Sequence, residues 1–145
     1  MSILKGLTTA QKWVIGLIGI TVALAVGNLG RAIVALRYAS SLPELSTSVP
    51  LAYFAATGGL WGIVFIFCTV GLSRFQDWGR WSTLIAVTLY QAHVWVNRVL
   101  FDVSTYARRA TPRNLVLTAI LLFVFWGLLS LPSVRKVFDG HEEQA

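Results

Sequence analysis

The chain has 145 residues, of which 56% are hydrophobic and only 12% charged. Soluble domains carry about twice that share of charge, so the composition excludes a soluble globular enzyme and a disordered chain. The net charge of +6 does not signal nucleic-acid binding. The basic residues sit at the ends of apolar blocks and form no stripe, which points instead to lipid phosphates and membrane-flanking surfaces.

The first apolar block begins at Trp13 and predicts a span over about 13–36. Lys5 and Lys12 flank it, and Ala23-Leu24-Ala25 fits a small-residue cleavage site. Apolar character continues well past that point, so the block reads as an uncleaved first span rather than a signal peptide. Ala23 and Gly27 are four apart, a spacing that lets helix backbones approach closely. Near the far end come Asn28 and Arg31, then Arg37.

A Ser/Thr/Pro-rich loop follows, with Glu44 inside it. The second span, 51–72, contains no charge and repeats the small-residue spacing at Gly58 and Gly62. Its lone cysteine, Cys68, excludes an intrachain disulfide and reads as a small buried apolar residue. A tight polar turn, SRFQDWGR, leads into the third block.

The third span, about 80–101, is the most polar. Gln91, Arg98 and Asp102 are spaced by seven and four and share one helix face; His93 and Asn97 share a neighbouring one. Arg98 and Asp102 are placed for an i,i+4 ion pair. After a basic connection carrying Arg108, Arg109 and Arg113, Thr111 reads as an N-cap, with Pro112 at the first position of a fourth span over about 113–131. The tail from Pro132 onward reads as exposed.

Each block matches the roughly 20 apolar residues that cross a bilayer as a helix. Continuous apolar runs exclude the alternating pattern of a membrane β-barrel. The expected architecture is all-α: one polytopic domain, a bundle of four transmembrane helices with short loops. Four spans put both termini on one side. Six basic residues fall there (Lys5, Lys12, Arg74, Arg80, Arg135, Lys136) and six on the other (Arg31, Arg37, Arg98, Arg108, Arg109, Arg113). Discounting Arg31 and Arg98, which lie within helical patterns, places the termini in the cytoplasm of a bacterial cytoplasmic membrane.

Polar residues inside membranes are costly, so they are the candidate functional groups. Asn28, Arg31, Gln91, Asn97, Arg98 and Asp102 form a polar cluster that reads either as an anion or headgroup site or partner-docking face, or as snorkelling and helix-to-helix glue. His93 reads as a structural hydrogen-bonding residue or as an axial ligand to haem or a pigment; a second intramembrane histidine for a bis-histidine haem is missing. No span carries a central carboxylate, and no zinc-protease or nucleotide-binding motif occurs. The expected function is non-catalytic: an accessory or structural subunit of a larger membrane complex, of respiratory or photosynthetic type, contacting other membrane subunits and anionic lipid. The alternative is a small oligomeric transporter or channel using the polar face of the third helix.

Overall fold

The computed structural model describes residues 7–41, 51–101 and 105–139. They form five helices: α1 (Thr9–Ser41), α2 (Leu51–Ser73), α3 (Asp77–Phe101), α4 (Thr105–Ser130) and α5 (Pro132–Asp139). Three stretches are long and apolar enough to cross a membrane: α1, α2 and Thr111–Ser130 within α4. α3 is not among them. Its polar residues lower its hydropathy, and they decide how it packs.

α1 begins with a capping box. The Thr8 N–H donates to Gln11 Oε1 at 2.9 Å, and the Gln11 N–H donates to Thr8 Oγ1 at 3.3 Å. The helix then runs for 33 residues, about 50 Å at 1.5 Å per residue. Its buried residues are Val14, Leu17, Thr21, Ala25, Asn28, Ala32 and Ala35. They recur on average every 3.5 positions, the period of a seam between two gently supercoiled helices. α2 answers with Gly58, Gly62, Phe65 and Leu72. A Cβ at Gly58 would lie 2.8 Å from the Asn28 carbonyl oxygen, and one at Gly62 would lie 2.5 Å from Leu29 Cδ2. Glycine at both positions is what lets the two backbones meet. α1 with α2 is the most extensive helix pairing in the chain.

The α2–α3 hairpin is just as close. Gln76 N–H donates to the Gly71 carbonyl at 3.3 Å and Phe75 N–H to the Leu72 carbonyl at 3.1 Å. This is a Schellman closure, with Phe75 in the left-handed position that glycine usually takes, at φ 52°. That conformation costs a residue with a Cβ about 1–2 kcal/mol. The Phe75 ring offsets part of it by packing on Phe138, with centroids 6.2 Å apart. Immediately beside the turn, Gly71 and Gly79 touch backbone to backbone: a Cβ at Gly71 would sit 2.6 Å from Gly79 Cα.

Two expectations need correction. α4 does not start at Thr111 with Pro112 in its first position; it starts at Thr105, and Pro112 lies inside it. Residues 107–110, Ala-Arg-Arg-Ala, are strong helix formers. One missing N–H does not stop them, since membrane-type helices tolerate an internal proline. The described part of the tail, Pro132–Asp139, is not exposed throughout either. It forms amphipathic α5, whose Val134 and Phe138 are fully buried while Arg135 and Lys136 face outward.

The interior divides into two zones. At the end nearer α5, Val14, Leu17, Leu72, Leu84, Leu129, Val134 and Phe138 make an apolar core. At the opposite end the helix interfaces are aromatic and polar. Large apolar side chains face outward throughout, among them Val26, Ile63, Phe67, Val99 and Phe123, each more than 60% exposed. Such a surface marks the chain as a membrane protein, because lipid solvates it and water does not.

Candidate functional site

α3 is the centre of the polar zone, and its polar side chains go to two different neighbours. Toward α2, Tyr53 O–H donates to Asn97 Oδ1 at 2.6 Å, and Asn97 Nδ2 lies 2.9 Å from His93 Nε2. With Asn97 Oδ1 occupied by the phenol, the amide nitrogen is the donor to the imidazole. His93 Nε2 is therefore the unprotonated nitrogen and Nδ1 carries the hydrogen. Trp61 and Tyr53 flank the imidazole, at ring-centroid distances of 5.7 and 6.2 Å. Trp61, Phe65 and Tyr90 meet edge to face or tilted beside it, at 5.2 to 6.1 Å.

Toward α4, Trp95 Nε1 donates to Thr118 Oγ1 at 3.2 Å, and the Thr118 hydroxyl donates to Gln91 Oε1 at 3.2 Å. Trp126 Nε1 reaches back to Thr88 Oγ1 at 3.1 Å. Arg98 stacks over the Trp95 ring at 5.5 Å. Its guanidinium also faces the Asn114 side chain, which satisfies both groups when its amide oxygen is turned inward. Toward α1, Asn28 Nδ2 donates to the Leu24 carbonyl at 2.8 Å and to Tyr90 Oη at 3.3 Å. No buried side-chain nitrogen or oxygen among the described residues lacks a partner.

The two faces expected of α3 therefore meet different neighbours, and the wider cluster does not converge on one point. Gln91 and Arg98 turn to α4, His93 and Asn97 to α2, and Asn28 is buried against Tyr90, while Arg31 is exposed. Asp102 and Glu44 lie outside the described residues, as do the side chains of Arg108 and Arg109. Metal ligation by His93 through Nε2 would displace the Asn97 hydrogen bond; among the described residues no group of three or more His, Cys, Asp or Glu side chains converges on a common point. Sequence reasoning missed the partners Tyr53, Tyr90, Thr118 and the three indoles. Their signal is a hydroxyl or N–H inside an apolar block, a group that must find an acceptor or donor when water is absent.

At the other end, Arg80 is buried at 5% exposure and bonds Asp77 Oδ1 through Nε and Nη2, each at 2.8 Å. It also stacks on Trp81 at 4.8 Å. An open groove of about 520 Å³ runs between α2 and α3, walled by Trp61, Val64, Phe67, Cys68, Ile85 and Leu89. Its lining is almost wholly apolar.

The glycines divide sharply by environment. Gly58 and Gly62 are buried against α1. Ala23 and Gly27 are exposed on the outer face of α1. They belong to a longer row: Gly16, Gly19, Ala23, Gly27 and Gly30 recur every three or four residues. A Cβ built at any of those four glycines meets no atom within 4 Å.

Comparison with known proteins gave no match to a protein family, to a curated protein or to a solved structure.

Proposed function

We propose that the chain is a non-catalytic integral membrane protein in which α3 joins α1, α2 and α4 as a fourth span, and that it serves as an accessory or structural subunit of a larger membrane complex. α3 is the span that lipid tolerates least, so its polar groups are satisfied sideways by α1, α2 and α4 rather than by solvent. α5 lies at the membrane interface on the side of the termini. Its outward Arg135 and Lys136 suit the anionic cytoplasmic leaflet.

The observation that carries the subunit reading is the row of small residues on the outer face of α1. Each glycine there costs about 0.8–1 kcal/mol of helix propensity relative to alanine. Lipid chains need no such flat surface, whereas a neighbouring helix does. The same chain uses the device internally, where Gly58 and Gly62 admit the backbone of α1. The transporter or channel alternative needs a wet path along α3. The side chains that would line it are instead bonded to one another, and the open groove beside α3 is apolar.

The test is recovery of partners from the source membrane. The tagged chain is extracted gently and weighed by native mass spectrometry, with Gly27→Leu compared against Gly127→Leu. Both substitutions enter open space, but only the first lies in the row. Loss of a hetero-complex in Gly27→Leu alone supports the reading. A lone chain or homo-oligomer in the unsubstituted protein sinks it.

A further inference from the structure

We propose that the pocket between the C-terminal part of α1 and the start of α2 is a binding site for an anionic phospholipid, with Arg31 taking the phosphate. The inference rests on the membrane placement of α1 and α2, not on the subunit reading.

The pocket is about 390 Å³ and is lined by Arg31, Val34, Ala35, Tyr38, Leu51 and Phe54. The α1 residues fall at steps of three, four and seven from Arg31, so they form one helix face. That face offers a cation at one end, a phenol two turns further on and apolar walls between. It is the chemistry of a molecule with a charged head and a hydrocarbon body. Arg31 makes no hydrogen bond or ion pair among the described residues, so its guanidinium has donors to give.

Depth agrees with this assignment. α2 starts at Leu51 and is 23 residues long, about 35 Å, slightly more than the roughly 30 Å hydrocarbon core. Leu51 and Phe54 therefore lie at or near one membrane interface; the Arg31 backbone lies deeper, near the level of Gly58, which packs on Asn28 and Ala32, and its side chain lines the pocket they share. α1 continues to Ser41, about 15 Å past Arg31, and lifts Tyr38 to headgroup height. A phosphate at the height of Tyr38, reached from below by the Arg31 side chain, has its ester end and upper acyl chains against Val34, Ala35 and Phe54.

Charge agrees as well. Arg31, Arg37, Arg98 and Arg113 all lie toward this end. In the sequence the connections at this end add Arg108 and Arg109 against Glu44 and Asp102, so basic residues outnumber acidic ones there. The field favours an anion, and a guanidinium binds phosphate through paired, charge-assisted hydrogen bonds.

The full-length protein is placed in phosphatidylcholine nanodiscs containing a minor share of phosphatidylglycerol, and lipid released with the protein is identified by native mass spectrometry. The unsubstituted protein should enrich phosphatidylglycerol. Arg31→Gln should lower that enrichment about tenfold, the size expected for losing a charge-assisted hydrogen bond. Val34→Trp, which fills the pocket and keeps the charge, should lower it too. Arg113→Gln on α4 should leave it unchanged. Equal losses in Arg31→Gln and Arg113→Gln would mean diffuse attraction and overturn the site. So would unchanged enrichment in both pocket variants. Complete displacement of the lipid by millimolar inorganic phosphate would overturn the lipid assignment, because free phosphate lacks the chains that the apolar walls hold.

Discussion

Alanine at Gly79 is the sharpest probe of how this molecule is packed. The added Cβ would lie 2.5 Å from the Gly71 carbonyl oxygen and 2.7 Å from Gly71 Cα. Normal carbon contacts are about 3.5–4.0 Å, so α2 and α3 must separate by about 1 Å where the hairpin pins them. Both neighbours are backbone and cannot rotate away. Overpacking at such a site costs about 1–3 kcal/mol, against a gain of about 1 kcal/mol in helix propensity. The expected net loss is about 0–2 kcal/mol. Other glycines set the scale. Gly58→Ala meets the Asn28 carbonyl at 2.8 Å and should cost less. Gly62→Ala clashes with the Leu29 side chain and meets the Leu29 backbone nitrogen only at 3.4 Å; the side chain can shift at a cost of about 0.5–1.5 kcal/mol. Gly127→Ala enters open space and should gain about 1 kcal/mol of helix propensity. Equilibrium unfolding in mixed micelles, followed by helicity, gives the order Gly79, then Gly58 and Gly62, then Gly127. A Gly79→Ala protein as stable as Gly127→Ala would refute the close crossing.

Two further outcomes follow from the polar contacts. Tyr53→Phe removes the donor to Asn97 and should destabilise the chain by about 0.6–1.7 kcal/mol, the range for hydrogen bonds between membrane helices, in the same unfolding experiment; an unchanged midpoint would show that Asn97 is satisfied without it. Asp77→Ala leaves the guanidinium of Arg80, only 6% exposed, without its carboxylate, whereas Arg80→Met leaves an Asp77 that is 34% exposed and can reach water. The first should cost about 3 kcal/mol and the second distinctly less; equal costs would mean that Arg80 is solvated after all.

Three of the helices were readable from apolar length alone, and the second one almost to the residue: 51–72 was expected and Leu51–Ser73 is found. The ends were harder, for specific reasons. Pro112 looks like a start signal, but the Ala/Arg-rich segment before it carries the helix back to Thr105. α5 is only eight residues long and buries just two side chains, Val134 and Phe138, the second of which packs on Phe75 beside the hairpin turn. The candidate residues of α3 were legible as polar groups in an apolar setting. Their split into two faces was legible too, Gln91 with Arg98 and His93 with Asn97; which helix each face meets was not, because that depends on which neighbour offers a hydroxyl or amide. Thr118 on α4 and Tyr53 on α2 decide that, and both are remote in sequence. Small-residue spacing identified both Gly58–Gly62 and Ala23–Gly27. Only the packed structure separates the pair that faces α1 from the pair that faces outward.

The most direct test of the subunit reading is photo-crosslinking in the native membrane from a probe placed at Ala23, with Ala119 on the outer face of α4 as the reference position. The account predicts that the Ala23 probe forms a discrete adduct with one other membrane protein and that the Ala119 probe labels mainly lipid. Adducts from Ala23 to lipid alone would contradict it. Adducts to a second copy of this chain would also contradict it, and would favour a homo-oligomeric transporter or channel.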